Sequence, residues 1–466
     1  MSDNLRRWLP WIAVAAVALI VIVIIAVNNS GDDEEAATTT TTEDGGEETT
    51  TTTEAETTTT TEGETTTTAA ARPPGEALKL ASLLPLTGDL AAFGPGMENS
   101  VKMAVEEANA AGGVQGSTIT LESFDTATSA DVAPAEADKI IAGGFQGEVG
   151  AASSGISLSV IDALTAAEVI MVSPSNTSPQ FTAYPHGGYY YRTAPSDTLQ
   201  GEFTAQLLAN SGADNLAIIY RADSYGEGLN EVVAASYTGT IVAQEPYDAE
   251  NLDAKTLITT IAAAEPASVL CICFPETGVQ IHVEAVSQGL LLEDQSLPWF
   301  YTDGMLDPTF VQALTDAGVE NAAALLANFT GTAPGSEETD AAAQFAAAYQ
   351  DAYGEEFTLF APQSYDAAWL MILAAEASDG SKIGIKGQMV AVSKGGESCI
   401  AAECLALLQA DPTTDIDYLG ASGEIDFKEN QSGDPGSAAF QIWEFTADGG
   451  TNQLALMSNP SEVPGG

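Results

Sequence analysis

Residues 150–182 read GAASSGISLSVIDALTAAEVIMVSPSNTSPQFT, and two clusters in them could do chemistry. The first holds Ser153, Ser154 and Gly155, the second runs from Ser173 to Ser178. Hydroxyls and small residues of this kind expose O–H and backbone N–H donors, and N–H groups at a helix N-terminus form a ready anion site. The chemistry implied is the grip of a carboxylate-sized ligand, with no catalytic group beside it. The same composition also serves plain turns and N-caps. What decides between the two is the set of elements that must position the hydroxyls. Residues 157–168 read as a helix and 169–172 (VIMV) as a short, fully apolar strand. Both clusters then follow carboxyl ends of strands, where an open parallel sheet binds its ligands.

The rest of the chain supplies such a sheet twice. Residues 80–84 form a buried strand that opens into the loop 85–96, and 97–110 follow with Val101, Ala104, Val105 and Ala108 on one helical face. Strands at 119–124 and 148–151 flank a helix at 133–141, an alternation that implies a doubly wound parallel sheet. After a strand at 189–193 and a helix at 197–210 the pattern restarts. Strands at 216–220, 240–243, 269–274 and 298–302 alternate with helices at 225–234, 254–264 and 278–289. Two βα runs of similar length predict an α/β protein of two similar lobes with the ligand between them. Helices at 345–353 and 363–377 and a half-buried strand at 440–445 complete the reading.

Composition bounds the function. A chain of 466 residues can bury two sizeable cores, and 45% hydrophobic against 17% charged residues makes most of it globular. The 66 acidic and 13 basic residues give a formal charge of −53, which excludes nucleic-acid binding, since that needs a basic footprint. An acidic fold poor in lysine suits a salty exterior that screens its self-repulsion. Cys271 and Cys273 share one face of an apolar strand and read as small core residues. Cys399 and Cys404 flank IAAE in a looser region and could close a short disulfide outside the cytosol. His186 and His282 stand at no ligand spacing from either pair, so neither zinc nor any other metal or cofactor is expected.

At the N-terminus, Arg6 and Arg7 precede an apolar run of 20 positions, 8–27, long enough to cross a bilayer with the positive side inside. A cleaved signal peptide is the competing reading, although 24–28 (IIAVN) offer a poor cleavage site. No cysteine follows the run to carry a lipid. Residues 28–76 are low-complexity Thr and Glu and read as an extended stalk, on which threonine glycosylation is an option. The expected organisation is an anchor helix at 1–27, a disordered stalk at 28–76, and the binding domain on the extracytoplasmic side of the cell membrane.

Four segments resemble the type I periplasmic solute-binding proteins, in the leucine/isoleucine/valine branch that serves ABC transporters. They are LLPLTGDLAAFG with AVEEANAAGGVQG, the pair GAASSG and VSPSNTSP, the run from YRADSYGEGL through CFPETG to FYTDGML, and YLGASGEIDFKENQSGDP with FQIWEF. No single motif is specific, but the ordered set covers almost everything after residue 77. The resemblance implies two Rossmann-like lobes joined by three crossovers, lobe 1 at 77–195 and 331–436 and lobe 2 at 196–330 and 437–458. It places carboxylate contacts on Ser154 and Thr177, a backbone contact to the ligand's ammonium on Ser175, and the acidic partner of that ammonium on Asp303. Aromatic contacts from the second lobe fall on Tyr225 and Phe274, and Phe93 lies where the first loop can touch the ligand side chain. Each also has an ordinary reading: a turn aspartate before Gly304, rings packed on their own sheet, a loop aromatic plugging a gap. Relatives often carry Glu where Asp303 stands and Tyr where Phe274 stands, changes that could alter which ligand fits.

The resemblance therefore implies a non-catalytic, monomeric receptor that closes over an amino acid and delivers it to an ABC permease. The alternative is a ligand-sensing ectodomain for amino acids, amides or small carboxylates. With only residues 1–7 ahead of the apolar run, such a sensor would need a membrane partner to signal. A serine hydrolase using Ser154 is disfavoured, because no G-x-S-x-G elbow is present.

Overall fold

A computed structural model describes residues 77–430 and 432–464. The expected anchor at 1–27 and stalk at 28–76 lie outside the described residues. Among the described residues no helix is long and apolar enough to cross a membrane.

The first half lays down β1 (Lys79–Leu84), α1 (Gly94–Ala110), β2 (Thr120–Asp125), α2 (Ala133–Gly143), β3 (Gly147–Gly150), α3 (Ser154–Ala166), β4 (Ile170–Ser173) and β5 (Tyr190–Arg192). These strands form one parallel sheet in the order β2-β1-β3-β4-β5. Successive side chains of a strand point to opposite faces, and the two faces are covered separately. Leu80, Leu84, Val149 and Val172 join α1 on one side, whereas Ala81, Leu83 and Met171 meet Ile140 of α2 and Val160 of α3 on the other.

The chain then runs through α4 (Asp197–Asn210), β6 (Leu216–Arg221), α5 (Ser224–Ser236), β7 (Ile241–Tyr247), α6 (Ala254–Ala263), β8 (Ser268–Ile272), α7 (Pro275–Gln288) and β9 (Trp299–Tyr301). Two short helices, α8 (Phe310–Asp316) and α9 (Ala322–Leu326), lead to β10 (Thr330–Gly335). Helices α10 (Asp340–Tyr353), α11 (Ala361–Glu376), α12 (Lys382–Gln388) and α13 (Ala402–Ala410) follow, with β11 (Glu397–Cys399), β12 (Ile416–Gly420) and β13 (Gly423–Glu424) as a small third sheet. The final pair, β14 (Ala439–Phe445) and β15 (Thr451–Met457), returns to the second sheet, whose order is β15-β14-β10-β9-β8-β6-β7. That sheet is parallel from β7 to β10 and antiparallel across β14 and β15. The expected α/β architecture with two parallel sheets is present, with an antiparallel edge added. Every residue of α11 is buried, because it packs along α1 and over β3 and β4 as the central helix of the first sheet.

Cys399 and Cys404 stand at disulfide distance, with Cα atoms 5.1 Å apart. Cys271 and Cys273, expected as separate core residues, also pair, with Cα atoms 5.4 Å apart. The correction has a simple cause: two residues apart on a strand means the same face, and here both sulfurs turn into one core.

Candidate functional site

Six strand ends converge. Beyond β1 lies the loop carrying Leu90 and Phe93; beyond β3, Ser153 and Ser154; beyond β4, Ser175. From the second sheet, β6 leads to Tyr225, β8 to Phe274 and β9 to Asp303. All of these side chains line one small cavity, in which about 20 Å³ is open to the centres of water-sized molecules. Of the seven expected ligand residues, Phe93, Ser154, Ser175, Tyr225, Phe274 and Asp303 share this wall. Thr177 stands behind it, 1% exposed, with its carbonyl accepting from Asp197 N at 2.7 Å.

At one end the helix α3 begins at Ser154, three residues earlier than its periodicity suggested, so the hydroxyl cluster sits at a helix N-terminus. Its N-cap, Ser153, is buried with an Oγ that has no partner. Ser154 Oγ accepts from Ser178 N at 3.3 Å, and Ser175 Oγ donates to Ala152 O at 3.0 Å, pinning the two loops together. Arg192 holds the second loop from beneath: Nη1 donates to Asn176 O at 3.1 Å and to Ser178 O at 2.8 Å. Its charge is met by Asp434 at 2.7 Å, inside the fold.

At the other end Asp303 is 4% exposed and starts a single 3-10 turn after β9. Its Oδ1 accepts from Tyr225 Oη at 2.7 Å and from Gln200 Nε2 at 2.8 Å. Burial raises the Asp303 carboxyl above the usual carboxylate range, and the hydrogen bonds from Tyr225 and Gln200 oppose it. Asp197 lies nearby on the first turn of α4, wholly buried, and is raised well above the usual range by burial and then by the charge of Asp303. The Thr177 hydroxyl beside it and the charge of Arg192 oppose that rise, and Gln200 Oε1 lacks a partner. Buried polar groups are ordinarily paired, so the unpartnered Ser153 hydroxyl on the cavity wall is open to a group from outside.

Between the polar ends the wall is apolar: Leu90, Phe93, Met97, Phe274 and Phe360. Phe274 stacks on Tyr225 with centroids 5.2 Å apart. Phe360 was not foreseen. It precedes α11 in a left-handed conformation at φ 66°, which a bulky residue adopts only when its surroundings require it. A non-glycine residue held so just before an apolar helix is visible only in three dimensions. Ser153 belongs to the hydroxyl cluster read from the sequence, whereas Gln200 and Asp197 were missed; the paired Asp and Gln at i and i+3 on one face of α4 were the available signal.

Two close approaches seat the halves of the site against one another. A Cβ on Gly155 would meet Asp223 Cβ at 3.1 Å, and one on Gly228 would meet Pro179 Cδ at 2.9 Å.

The family model described as periplasmic binding protein matches residues 77–391. Leu/Ile/Val-binding protein homolog 2 of Brucella abortus is 31% identical over 211 residues, 44% of this chain and 56% of that protein. The chain thus spans about half the length of that curated relative. The chemotactic signal transduction system substrate-binding protein BasB of Halobacterium salinarum is 26% identical over 374 residues, 76% of this chain and 84% of that one. Among solved structures, the branched-chain amino acid transporter substrate-binding protein LivJ of Streptococcus pneumoniae, in complex with isoleucine, superposes with a TM-score of 0.66. It is 21% identical and covers 82% of this chain and 99% of its own.

Proposed function

The chain belongs to the periplasmic binding protein family, and from that premise we propose that it is an extracytoplasmic receptor for an amino acid with an apolar side chain, feeding an ABC importer. The observation that carries the reading is the polarity of one cavity wall: helix-terminus amides and hydroxyls at one end, the buried carboxylate of Asp303 at the other, and the apolar side chains of Leu90, Phe93, Met97, Phe274 and Phe360 between. A zwitterion matches that order. Its carboxylate meets Ser154, Ser153 and the N-terminus of α3, while Thr177, behind the wall, is assigned to it by the family resemblance alone. Its ammonium meets Asp303 and the carbonyl of Ser175, and its side chain lies on Phe93, Leu90, Met97 and Phe360. Charge-assisted hydrogen bonds of this kind are the strong ones, and no group here is placed to break a bond, so the ligand leaves unchanged.

The motion is hinge closure of two lobes, the chain crossing between them around residues 193–196, 336–339 and 436–438. The second crossing falls later than the expected 330/331 because β10 (Thr330–Gly335) still pairs with β9 and β14. The receptor works as a monomer, held to the membrane through its N-terminal segment. The test is a thermal-shift series with amino acids, amides and small carboxylates, since a ligand of the native state raises the melting temperature. Leucine, isoleucine or valine should give the largest rise; a rise confined to ligands without an ammonium group would defeat the reading. The likeness to BasB, a chemotactic substrate-binding protein, favours a second reading, in which the same closed form engages a signalling partner. Uptake of labelled leucine in a deletion strain, set beside its taxis toward leucine, separates the two.

A further inference from the structure

Helix α7 has no cap of its own. Its N-cap residue, Phe274, offers no side-chain hydrogen bond to the first turn, whose N–H groups have no partner within the helix. The acceptor comes from the other sheet's loop: Asp89 Oδ1 accepts from Thr277 N at 2.9 Å, and Thr277 Oγ1 donates to Asp89 Oδ2 at 3.1 Å. The same carboxylate pairs with Arg221 at the end of β6. Arg221 in turn holds Asp223 at 2.6 Å and lies over the ring of Phe274, 4.5 Å from its centroid. Phe274 is the cavity wall that stacks on Tyr225, and Tyr225 donates to Asp303.

The loop that carries Asp89 is stiff. Asp125 accepts from Leu86 N at 2.9 Å and from Thr87 Oγ1 at 2.7 Å, and Leu90 N donates to Thr128 Oγ1 at 3.1 Å. Gly88 takes φ 84°, and a Cβ there would run into the backbone of Ala127. Asp89 is therefore presented by one lobe in a fixed position, and every partner it has belongs to the other.

We propose that Asp89 is a latch: it caps the Thr277 amide of α7 and gives Arg221 a second carboxylate beside Asp223 only when the lobes meet, and so sets how long a closed receptor keeps its ligand. The latch rests on the reading that the ligand sits between closing lobes. Opening leaves the Thr277 amide of α7 without its acceptor and Arg221 with Asp223 alone, which loosens the hold of Arg221 on the face of Phe274. Asp89 is thus a positioning residue, acting on the ligand through Arg221 and Phe274 without touching it.

The experiment uses the full chain with dyes at exposed positions 139 and 255, one on each lobe, and follows the ratio of compact to extended conformers by single-molecule energy transfer. It is paired with stopped-flow dissociation of L-leucine. Asp89→Asn should lower the compact-to-extended ratio, with and without L-leucine, and speed dissociation by on the order of tenfold or more, the loss expected for hydrogen bonds to a charged group. Asp89→Glu, which keeps the charge, should recover part of both. An Asp89→Asn protein with unchanged ratio and unchanged dissociation overturns the latch. If L-leucine leaves the wild-type distances where they were, the amino-acid reading falls instead. The latch is then judged on the ligand-free ratio alone, standing if Asp89→Asn lowers it and falling if it does not.

Discussion

Replacing Asp303 by Asn separates the two demands made on that residue. The change keeps an oxygen that can accept from Tyr225 and Gln200, which now approach Oδ1 at 2.7 and 2.8 Å, so the local geometry has reason to persist. What goes is the charge. Hydrogen bonds to charged groups contribute about 1.5–3 kcal/mol, and leaving one member of a buried pair alone costs about 3–5 kcal/mol. A loss of about 2–4 kcal/mol in binding a zwitterion corresponds to a weakening of roughly 30- to 1,000-fold. The effect on the ligand-free protein should run the other way. Burial raises the Asp303 carboxyl, so at neutral pH its charged form is resisted by the fold, and a neutral amide removes that cost. Isothermal titration with L-leucine at pH 7 and thermal unfolding without ligand read both effects. Wild-type affinity should also fall as pH drops through the raised folded value, because only the ionised carboxyl meets the ammonium, and the variant should lose that slope. An affinity within threefold of wild type, or a melting temperature several degrees lower without ligand, would refute the reasoning.

Three further changes test other parts of the structure. Glu148 on β3 is fully buried, neither of its oxygens has a partner, and burial raises it well above its ordinary 4.5. The native state therefore holds a proton that the unfolded chain loses above that value. Stability should fall as pH rises from 4.5, by up to about 3 kcal/mol at pH 7, and urea unfolding of Glu148→Gln should show that component gone. His282 behaves oppositely: burial lowers it from 6.5 to about 4, so the unfolded chain binds a proton first as pH falls. Its contribution is complete above 6.5 and is lost toward pH 4, about 3 kcal/mol in all; a His282→Gln protein that loses as much stability over this window as wild type would exclude it. Gly228→Ala gains about 1 kcal/mol of helix propensity but puts a methyl 2.9 Å from the Pro179 ring. Leucine binding measured by titration should weaken at least tenfold while the ligand-free melting temperature holds or rises; unchanged binding would show that the two surfaces need not meet so closely.

The alternation of apolar runs and helical faces made the two sheets legible, because a strand buried on both faces and a helix buried on one leave different periods in the sequence. The wall of the cavity was legible for the same reason, since Ser154, Ser175, Tyr225, Phe274 and Asp303 each lie two to four residues beyond a strand's carboxyl end. What stayed hidden depends on distance along the chain. Asp89 and Arg221 lie 132 residues apart, and nothing local to either announces the other. Phe360 enters the wall only because α11 packs along α1. The edge strand β15, Thr451–Met457, opens on the polar Thr451, Asn452 and Gln453 and buries only Met457, so its short apolar half does not mark out a strand. The pairing of Cys271 with Cys273 needed both sulfurs on one face, which spacing allowed, and a rotamer choice, which spacing does not record.

The placement of the cavity at strand ends has a practical side. Its lining comes from the loops and first helical turns just beyond the strands, and the polar positions Ser154, Ser175 and Asp303 stand outside the hydrophobic clusters, so they can be exchanged with the least disturbance of the scaffold. A pair of fluorophores riding on the two halves would turn such redesigned pockets into a set of reagentless sensors sharing one optical signal.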